Sequence, residues 1–530
     1  MTNIIENIRE QVRSVVRKAL AAAAEKGLMP DVTIDEIIVE TPKEKEHGDF
    51  STNTAMLLAK KAKKAPVQIA SILIDNMDFT DTYIQRAECA GPGFINFFLN
   101  TSWLYDTLKI ISHEREDYGR INIGQGKKVM VEFVSANPTG PLHMGNARGG
   151  ALGDCIASVL QAAGYDVTRE YYVNDAGNQI EKFGISLEAR YIQLLKGEDA
   201  IEFPEDGYQG EDIIDHMRDY IEQFGDKLLD ADPEERRREL VNFALPRNLE
   251  RIRKGLLYEK DGAQWFRATD FGAEKDVVII RSNGLPTYFA SDIAYHRNKF
   301  VKRGFDWVIN LLGADHHGHV ARMKAAVAAM GVDPTRLDIV LFQLVRLFKN
   351  GEIARMSKRT GRAISLDDLL EEVGRDAARF FFNMKAAGSH LDFDLDLAVK
   401  QSNENPVYYV QYAHARICSM LRLLESEGIS VPSANEVDLT LLTAPEEIDL
   451  IKKLAEYPDE IRIAAQTLEP SRLTRYVTDV ASLFHSFYNE CRVKGEEEKL
   501  MKARLLLVSA VKTVIKNVLD ILSINAPERM

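Results

Sequence analysis

The chain has 530 residues, 45% of them hydrophobic, and a formal net charge of −13. That length predicts several domains and at least one large core, and no apolar run reaches the roughly 18 residues a membrane span needs. The acidic balance argues weakly against nucleic acid, since a local basic patch is enough to hold phosphates; the four cysteines (Cys89, Cys155, Cys418, Cys491) form no CxxC pair, against a disulfide framework or thiolate zinc site and for a reducing, cytoplasmic setting.

In chain order, Ile4, Ile8, Val12, Val15 and Val16 recur at helical spacing. Glu6 and Glu10 make this a docked amphipathic helix rather than an acid-poor transit peptide. His47–Pro66 opens with turn chemistry and becomes a helix with Lys60, Lys61, Lys63 and Lys64 near its end; "AGPGFINFFLN" reads as a turn and a strand. Residues 1–115 are expected to form a small α+β domain. Residues 116–395 alternate apolar runs with helical patterns, the signature of a Rossmann-type parallel α/β sheet. An acidic, helix-rich stretch within them marks an insertion at about residues 185–275. Residues 396–530 lose their strands: "YYVQYAHARICSMLRLL", "LTRYVTDVASLFHSFYNEC" and "ARLLLVSAVKTVIKNVLDIL" read as an all-α bundle.

The chemistry concentrates at a corner. "VMVEFV" reads as a strand, "CIASVLQAAG" as a helix, and "ANPTGPLHMGNARGGALGD" joins them. A glycine-rich strand-to-helix corner presents unpaired backbone N–H groups at the positive end of a helix, which suits phosphate. Pro138 and Pro141 keep the approach extended, Gly145, Gly149 and Gly150 allow close approach, and His143 is placed as a donor. His-x-Gly occurs a second time in "DHHGH" (Asp315–His319). Order along the chain chooses between them. "ARMSKRTG" (Ala354–Gly361) resembles the mobile KMSKS-type loop of class I aminoacyl-tRNA synthetases, whose HIGH-type motif opens the nucleotide fold half a domain earlier. "HMGN" has that spacing and "HHGH" does not. "DHHGH" is left as a second-half pocket or core segment, or a metal cluster without an obvious further ligand.

Taken together, "FVSANPTGPLHMGNARGGALGD", "YYVNDAGNQI", "AGPGFINF", "YFASDIAYHRNKF", "RMSKRTG" and "APERM" closely resemble the arginyl-tRNA synthetases from end to end. The resemblance implies ATP-dependent ligation of L-arginine to tRNA(Arg) through an arginyl-adenylate, releasing AMP and pyrophosphate. His143, Asn146 and Lys358 would be catalytic. Pro141, Gly145, Met356 and Ser357 would complete the ATP site, with Mg²⁺ accompanying ATP and no structural zinc. Many family members carry a lysine just before the HIGH element; Gly140 stands there, so the loop lysine Lys358 supplies the charge. Glu132, Tyr288 and Asp292 would meet the guanidinium, Ser135 and Asn137 the amino-acid end. A planar, always charged guanidinium calls for placed acids. Glu132 also interrupts an apolar run, and Asp292 follows Tyr288 by four residues, one helical face if a helix starts there. Such polar recognition makes an editing domain unnecessary, rejecting lysine or citrulline by ~10⁴-fold or more.

The family's N-terminal domain touches the tRNA elbow and its bundle reads the anticodon, which implies phosphate contacts from Lys61 and Lys64 and base stacking from Tyr408, Tyr412 and Arg416. A monomer is expected from the family. Smaller HIGH-type nucleotidyltransferases lack the helical C-terminal domain. A retired synthetase that only binds tRNA would have lost His143, Lys358 or Asp292, and all three are present.

Overall fold

The computed structural model describes residues 3–32, 34–135, 142, 144–172, 178–204, 207, 211–250, 256–282, 287–354 and 364–530, with backbone alone at residues 45, 178–180, 182, 211–212, 245–250 and 288.

The N-terminal unit begins with α1 (Ile4–Glu25), capped by Asn3, whose side chain accepts from the Glu6 amide at 3.0 Å. Its buried stripe includes Ile4, Ile8, Val12, Val15 and Val16, as read from the sequence, and runs on through Ala19. After β1 (Phe50–Thr52) come α2 (Thr54–Ala62) and α3 (Pro66–Ile74). Then β2 (Ile84–Ala90) and β3 (Phe94–Leu99) complete an antiparallel sheet of order β1-β3-β2. Helix α4 (Ser102–Glu114) leads out of this unit.

Next are β4 (Lys128–Glu132), α5 (Met144–Ala162) and β5 (Asp166–Glu170). Three helices, α6 (Asn178–Lys196), α7 (Glu211–Phe224) and α8 (Pro233–Glu250), then close on a separate core containing Leu187, Tyr191, Met217, Leu240 and Ala244. They are followed by β6 (Leu257–Lys260), β7 (Ala263–Phe266) and β8 (Val277–Ile280). The stretch just beyond the expected insertion falls within the residues read as parallel α/β. Instead β8 pairs antiparallel with β7, in a small sheet of order β6-β7-β8. The β6–β7 turn at Asp261 and Gly262, both at positive φ, closes a hairpin whose free edge β8 takes up. Helix α9 (Tyr288–Arg297) continues through a π-helical turn, Asn298–Lys302. Then come β9 (Trp307–Gly313), α10 (His317–Ala329) and β10 (Leu337–Phe342). The main sheet has the order β10-β9-β4-β5, all parallel. The chain steps from β4 out to β5 and later returns to the other side of β4, so β4 and β9 flank a switch point, where ligands of open α/β sheets bind.

Strands β11 (Val345–Lys349) and β12 (Glu352–Ile353), helices α11 (Leu366–Val373) and α12 (Arg375–Asn383), β13 (Leu391–Asp394) and α13 (Leu395–Val399) connect the sheet to a bundle. The bundle comprises α14 (Pro406–Ser426), α15 (Pro445–Ala455), α16 (Tyr457–Thr467), α17 (Ser471–Glu490) and α18 (Glu498–Ile521). Phe484, Leu507, Val511, Val514 and Val518 are fully buried in its core. The bundle grips the sheet region directly: Arg379 on α12 reaches Asp154 of α5 at 2.6 Å and the Leu522 carbonyl at 2.8 Å. Among the described residues no helix is long and apolar enough to cross a membrane.

Candidate active site at the carboxyl edge of the parallel sheet

Glu132 is the last residue of β4 and only 8% exposed. Its register partner on β9 is Asn310, another polar residue in an apolar strand. The two are bridged from below. Lys299, in the π-helical turn after α9 and 0% exposed, donates through Nζ to Glu132 Oε2 and, at 3.2 Å, to Asn310 Oδ1. Asn310 Nδ2 donates to His296 Nε2 at 2.8 Å, and His296 Nδ1 donates to the Asp292 carbonyl at 2.8 Å. That pair of bonds fixes one neutral tautomer. Burial, then the Lys299 charge, pull the imidazole down to about 3, so it stays neutral near pH 7. The other Glu132 oxygen, Oε1, accepts from Ser135 Oγ at 3.0 Å, and that hydroxyl accepts from the Tyr172 amide at 3.2 Å. Ser135 thus orients an acid, a duty its position in the sequence does not suggest.

Asp292 lies on the same helix as this network, with its side chain one-third open. Burial raises its carboxyl to about 7, helped by the facing Glu132 charge and opposed by Lys299. His319 Nε2 stands 3.6 Å from Asp292 Oδ2, and burial holds this imidazole below its ordinary range. The "DHHGH" stretch, which follows β9 and opens α10, therefore sets His319 beside Asp292. Among the described residues no three carboxylate, imidazole or thiolate groups converge on a metal position.

The backbone is bent where β4 leaves the sheet. Val134 and Ser135 have φ of 70° and 32°, conformations rarely adopted by side-chain-bearing residues and strained for a β-branched valine. Helix α5 starts at Met144, with Gly145 and Asn146 half-buried in its first turn. Gly149 and Gly150, expected to admit a ligand, face protein instead. A Cβ on Gly149 would meet the Phe342 ring at 2.9 Å, and one on Gly150 Val134 Cγ2 at 3.3 Å. Fully buried Arg148 anchors α5 to the chain beyond β10, donating to the carbonyls of Gln343 at 2.7 Å and Ala386 at 3.0 Å. The Leu366 amide donates to the Leu142 carbonyl at 3.0 Å. This bond ties the flank of the "HMGN" corner to the flank of the "RMSKR" segment, although the two are far apart in sequence.

Asn137, Pro141, His143, Met356, Ser357 and Lys358 lie outside the described residues, as does the Tyr288 side chain; Tyr288 itself is the first residue of α9. Lys61 and Lys64 are exposed at the end of α2 and in the turn after it. On α14 the tyrosines are not core. Tyr408 and Tyr412 lie parallel, centroids 6.1 Å apart, and Arg416 sits 3.9 Å over the Tyr488 ring, all on a half-buried face. His414, which the sequence groups with them, turns inward and donates to the Pro527 carbonyl at 2.9 Å. Sequence reasoning does not single out Lys299, His296 or Asn310, and it names His319 only as part of "DHHGH". The signal is present in Asn310, a polar residue in "WVINLLG", and in His296 and Lys299, at helical spacing from Asp292.

Three family models match: the arginyl tRNA synthetase N-terminal domain at residues 7–99, the class I (R) tRNA synthetase catalytic domain at 107–213 and 211–387, and the DALR anticodon binding domain at 410–530. The chain is 69% identical to an arginine–tRNA ligase of Acetivibrio thermocellus and 66% to one of Ruminiclostridium cellulolyticum, over 100% of each chain. Its fold also matches the arginyl-tRNA synthetase structure of Thermus thermophilus, with a TM-score of 0.68 at 23% identity over 98% of this chain and 100% of the other.

Proposed function

The chain belongs to the arginyl-tRNA synthetase family, and from that premise we propose how its residues divide the work. It catalyses the ATP-dependent attachment of arginine to tRNA. In the first step the arginine carboxylate attacks the α-phosphate of ATP and pyrophosphate leaves; in the second a terminal ribose hydroxyl of tRNA(Arg) takes the acyl group. The observation that carries the assignment of roles is the acid pair at the switch point: Glu132 ends β4 over Lys299, and Asp292 on α9 is raised by burial and by the Glu132 charge. A guanidinium entering there satisfies both carboxylates and removes their mutual repulsion.

Glu132 and Asp292, with Tyr288, hold the side chain of arginine, while Asn137 and Ser135 hold its amino-acid end. ATP sits on the first turn of α5, with Gly145 and Asn146 at the phosphates and His143 and Lys358 stabilising charge on the transferred and leaving groups; Pro141, Met356 and Ser357 shape the two segments. The Leu142–Leu366 bond supports this division, since it brings the flanks of both segments together. Magnesium enters as the counter-ion of the ATP phosphates. Residues 1–115, 116–395 and 396–530 act respectively as tRNA-contacting, catalytic and anticodon-binding units, and the Tyr408, Tyr412 and Arg416 face receives splayed bases.

Kinetics separate the roles. His143→Ala should lower kcat about 10²–10³-fold with arginine KM within threefold, because its contact strengthens in the transition state. Asp292→Ala should raise arginine KM by about two orders of magnitude, the cost of an unpaired buried guanidinium. Proportional loss in both parameters for both variants would contradict the division.

A further inference from the structure

Two carboxylates aimed at one guanidinium present a charge mismatch, and the structure holds its correction. Glu132 and Asp292 carry two negative charges where the substrate side chain brings one positive. The surrounding groups can be tallied from every element packed on the pocket. On α9, His296 is neutral, held by its two hydrogen bonds, and Tyr295 gives its hydroxyl to Glu170. On β5, Glu170 is spoken for by the Arg303 fork at 2.8 and 3.0 Å. On α10, burial, then His316 and Arg322, lower the His319 imidazole. On β9, Asn310 is uncharged. The cation bonded to the acid pair is the Lys299 ammonium, fully buried beneath Glu132 and 4.5 Å from the Tyr295 ring centroid, while Arg322 acts on the far side of His319.

We propose that Lys299 is a specificity-determining positioning residue of the arginine pocket: it fixes Glu132 from below and cancels one of the two negative charges, leaving one net negative charge to match one guanidinium. The inference rests on the reading of Glu132 and Asp292 as guanidinium ligands. Lys299 lowers the Asp292 carboxyl, so without it Asp292 would keep its proton to higher pH and arginine would have to displace it. A protonated Asp292 beside the Glu132 carboxylate offers a donor and an acceptor together, which suits a neutral urea group, and losing Lys299 extends that state to higher pH. Lys299 therefore serves selection against uncharged analogues such as citrulline as well as affinity for arginine.

The test is arginine KM and kcat from pH 6 to 9 for the full chain carrying Lys299→Met, Lys299→Gln or Lys299→Arg, with citrulline as competitor and Asp292→Asn as reference. In the wild type, KM should rise as pH falls through the Asp292 midpoint. Lys299→Met should move that midpoint up by at least one pH unit, raise KM at pH 7 at least tenfold, leave kcat at saturation within threefold, and lower the preference for arginine over citrulline at least tenfold. Lys299→Arg should restore the wild-type midpoint. If Lys299→Met does not fold, Lys299→Gln, which removes the charge and keeps a hydrogen-bonding amide, reads the same midpoint. An unchanged KM–pH profile in Met or Gln variants, with only a lower Tm, would overturn the proposal and leave Lys299 structural. An unchanged KM in Asp292→Asn would instead remove the site reading beneath it.

Discussion

At the scale of single residues the pocket trades stability for binding. Asp292 has a folded-state carboxyl at about 7 against an ordinary 3.8, so between those values the folded chain holds its proton more tightly than the unfolded chain does. Stability must then fall as pH rises through that window, and the full cost is present above it. Asp292→Asn removes the cost. At pH 8 the variant should be more stable than the wild type by about 1–2 kcal/mol, allowing for the screening of a side chain one-third open, with the gain vanishing towards pH 4. Thermal melts at the two pH values read this as a Tm rise of about 1–3 °C at pH 8 only. Strain at Val134 and Ser135 is a second local cost at the same place.

At the scale of elements, what is legible in the sequence depends on how local its cause is. The α1 stripe and the start of α9 at Tyr288 rest on periodicity, and the corner before α5 on punctuation by Gly and Pro, so each is legible. Glu132 is legible as an anomaly in an apolar strand, but its partner Lys299 is not, because that contact crosses 167 positions. Strand β8 reads as part of the parallel sheet for the same reason, since an apolar run does not name its neighbour. The glycines of α5 show how one pattern can have two causes. Gly149 and Gly150 read as room for a ligand but face protein, and the next glycine of the helix answers to packing as well: a Cβ on Gly153 would lie 2.3 Å from Phe133 Cγ and 2.4 Å from its Cβ. Close packing of helix on strand demands glycine here. Gly153→Ala should cost about 1–3 kcal/mol by overpacking. Because Phe133 directly follows Glu132, the variant should also lower kcat/KM for arginine severalfold, which steady-state charging at fixed temperature would show. A buried ion pair does comparable positioning in the bundle: Arg504 on α18 donates to Glu447 Oε1 at 2.7 Å, while Glu447 Oε2 accepts from the Ala444 amide at 2.8 Å and caps α15. Glu447→Ala should destabilise the fold by about 3–5 kcal/mol, because it strands a buried guanidinium, and a lower denaturant midpoint without a change in arginine KM would show it.

At the scale of the whole molecule, an acidic chain handles a polyanion by concentrating its cations. The net charge is −13, yet α2 ends in Lys60 and Lys61, with Lys63 and Lys64 exposed in the following turn. Each phosphate contact releases counterions, so Lys61→Gln combined with Lys64→Gln should reduce the slope of log K for tRNA against log salt by about 1.4–1.8 and leave arginine KM unchanged. An unaltered slope would move the phosphate track elsewhere. The ends of the chain are also joined to its centre. Asn517 on α18 donates to the carbonyls of Arg115 and Tyr118, just after α4, at 2.8 and 3.0 Å, and Arg379 couples α5 to the segment after α18. The central claim is the placement of arginine between Glu132 and Asp292, over Lys299. A crystal structure of the full chain with bound L-arginine tests it most directly. The account predicts guanidinium nitrogens within about 3 Å of carboxylate oxygens of both acids, with the Lys299–Glu132 pair intact beneath them. A guanidinium bound away from Asp292, or one that displaces Lys299 from Glu132, would contradict it.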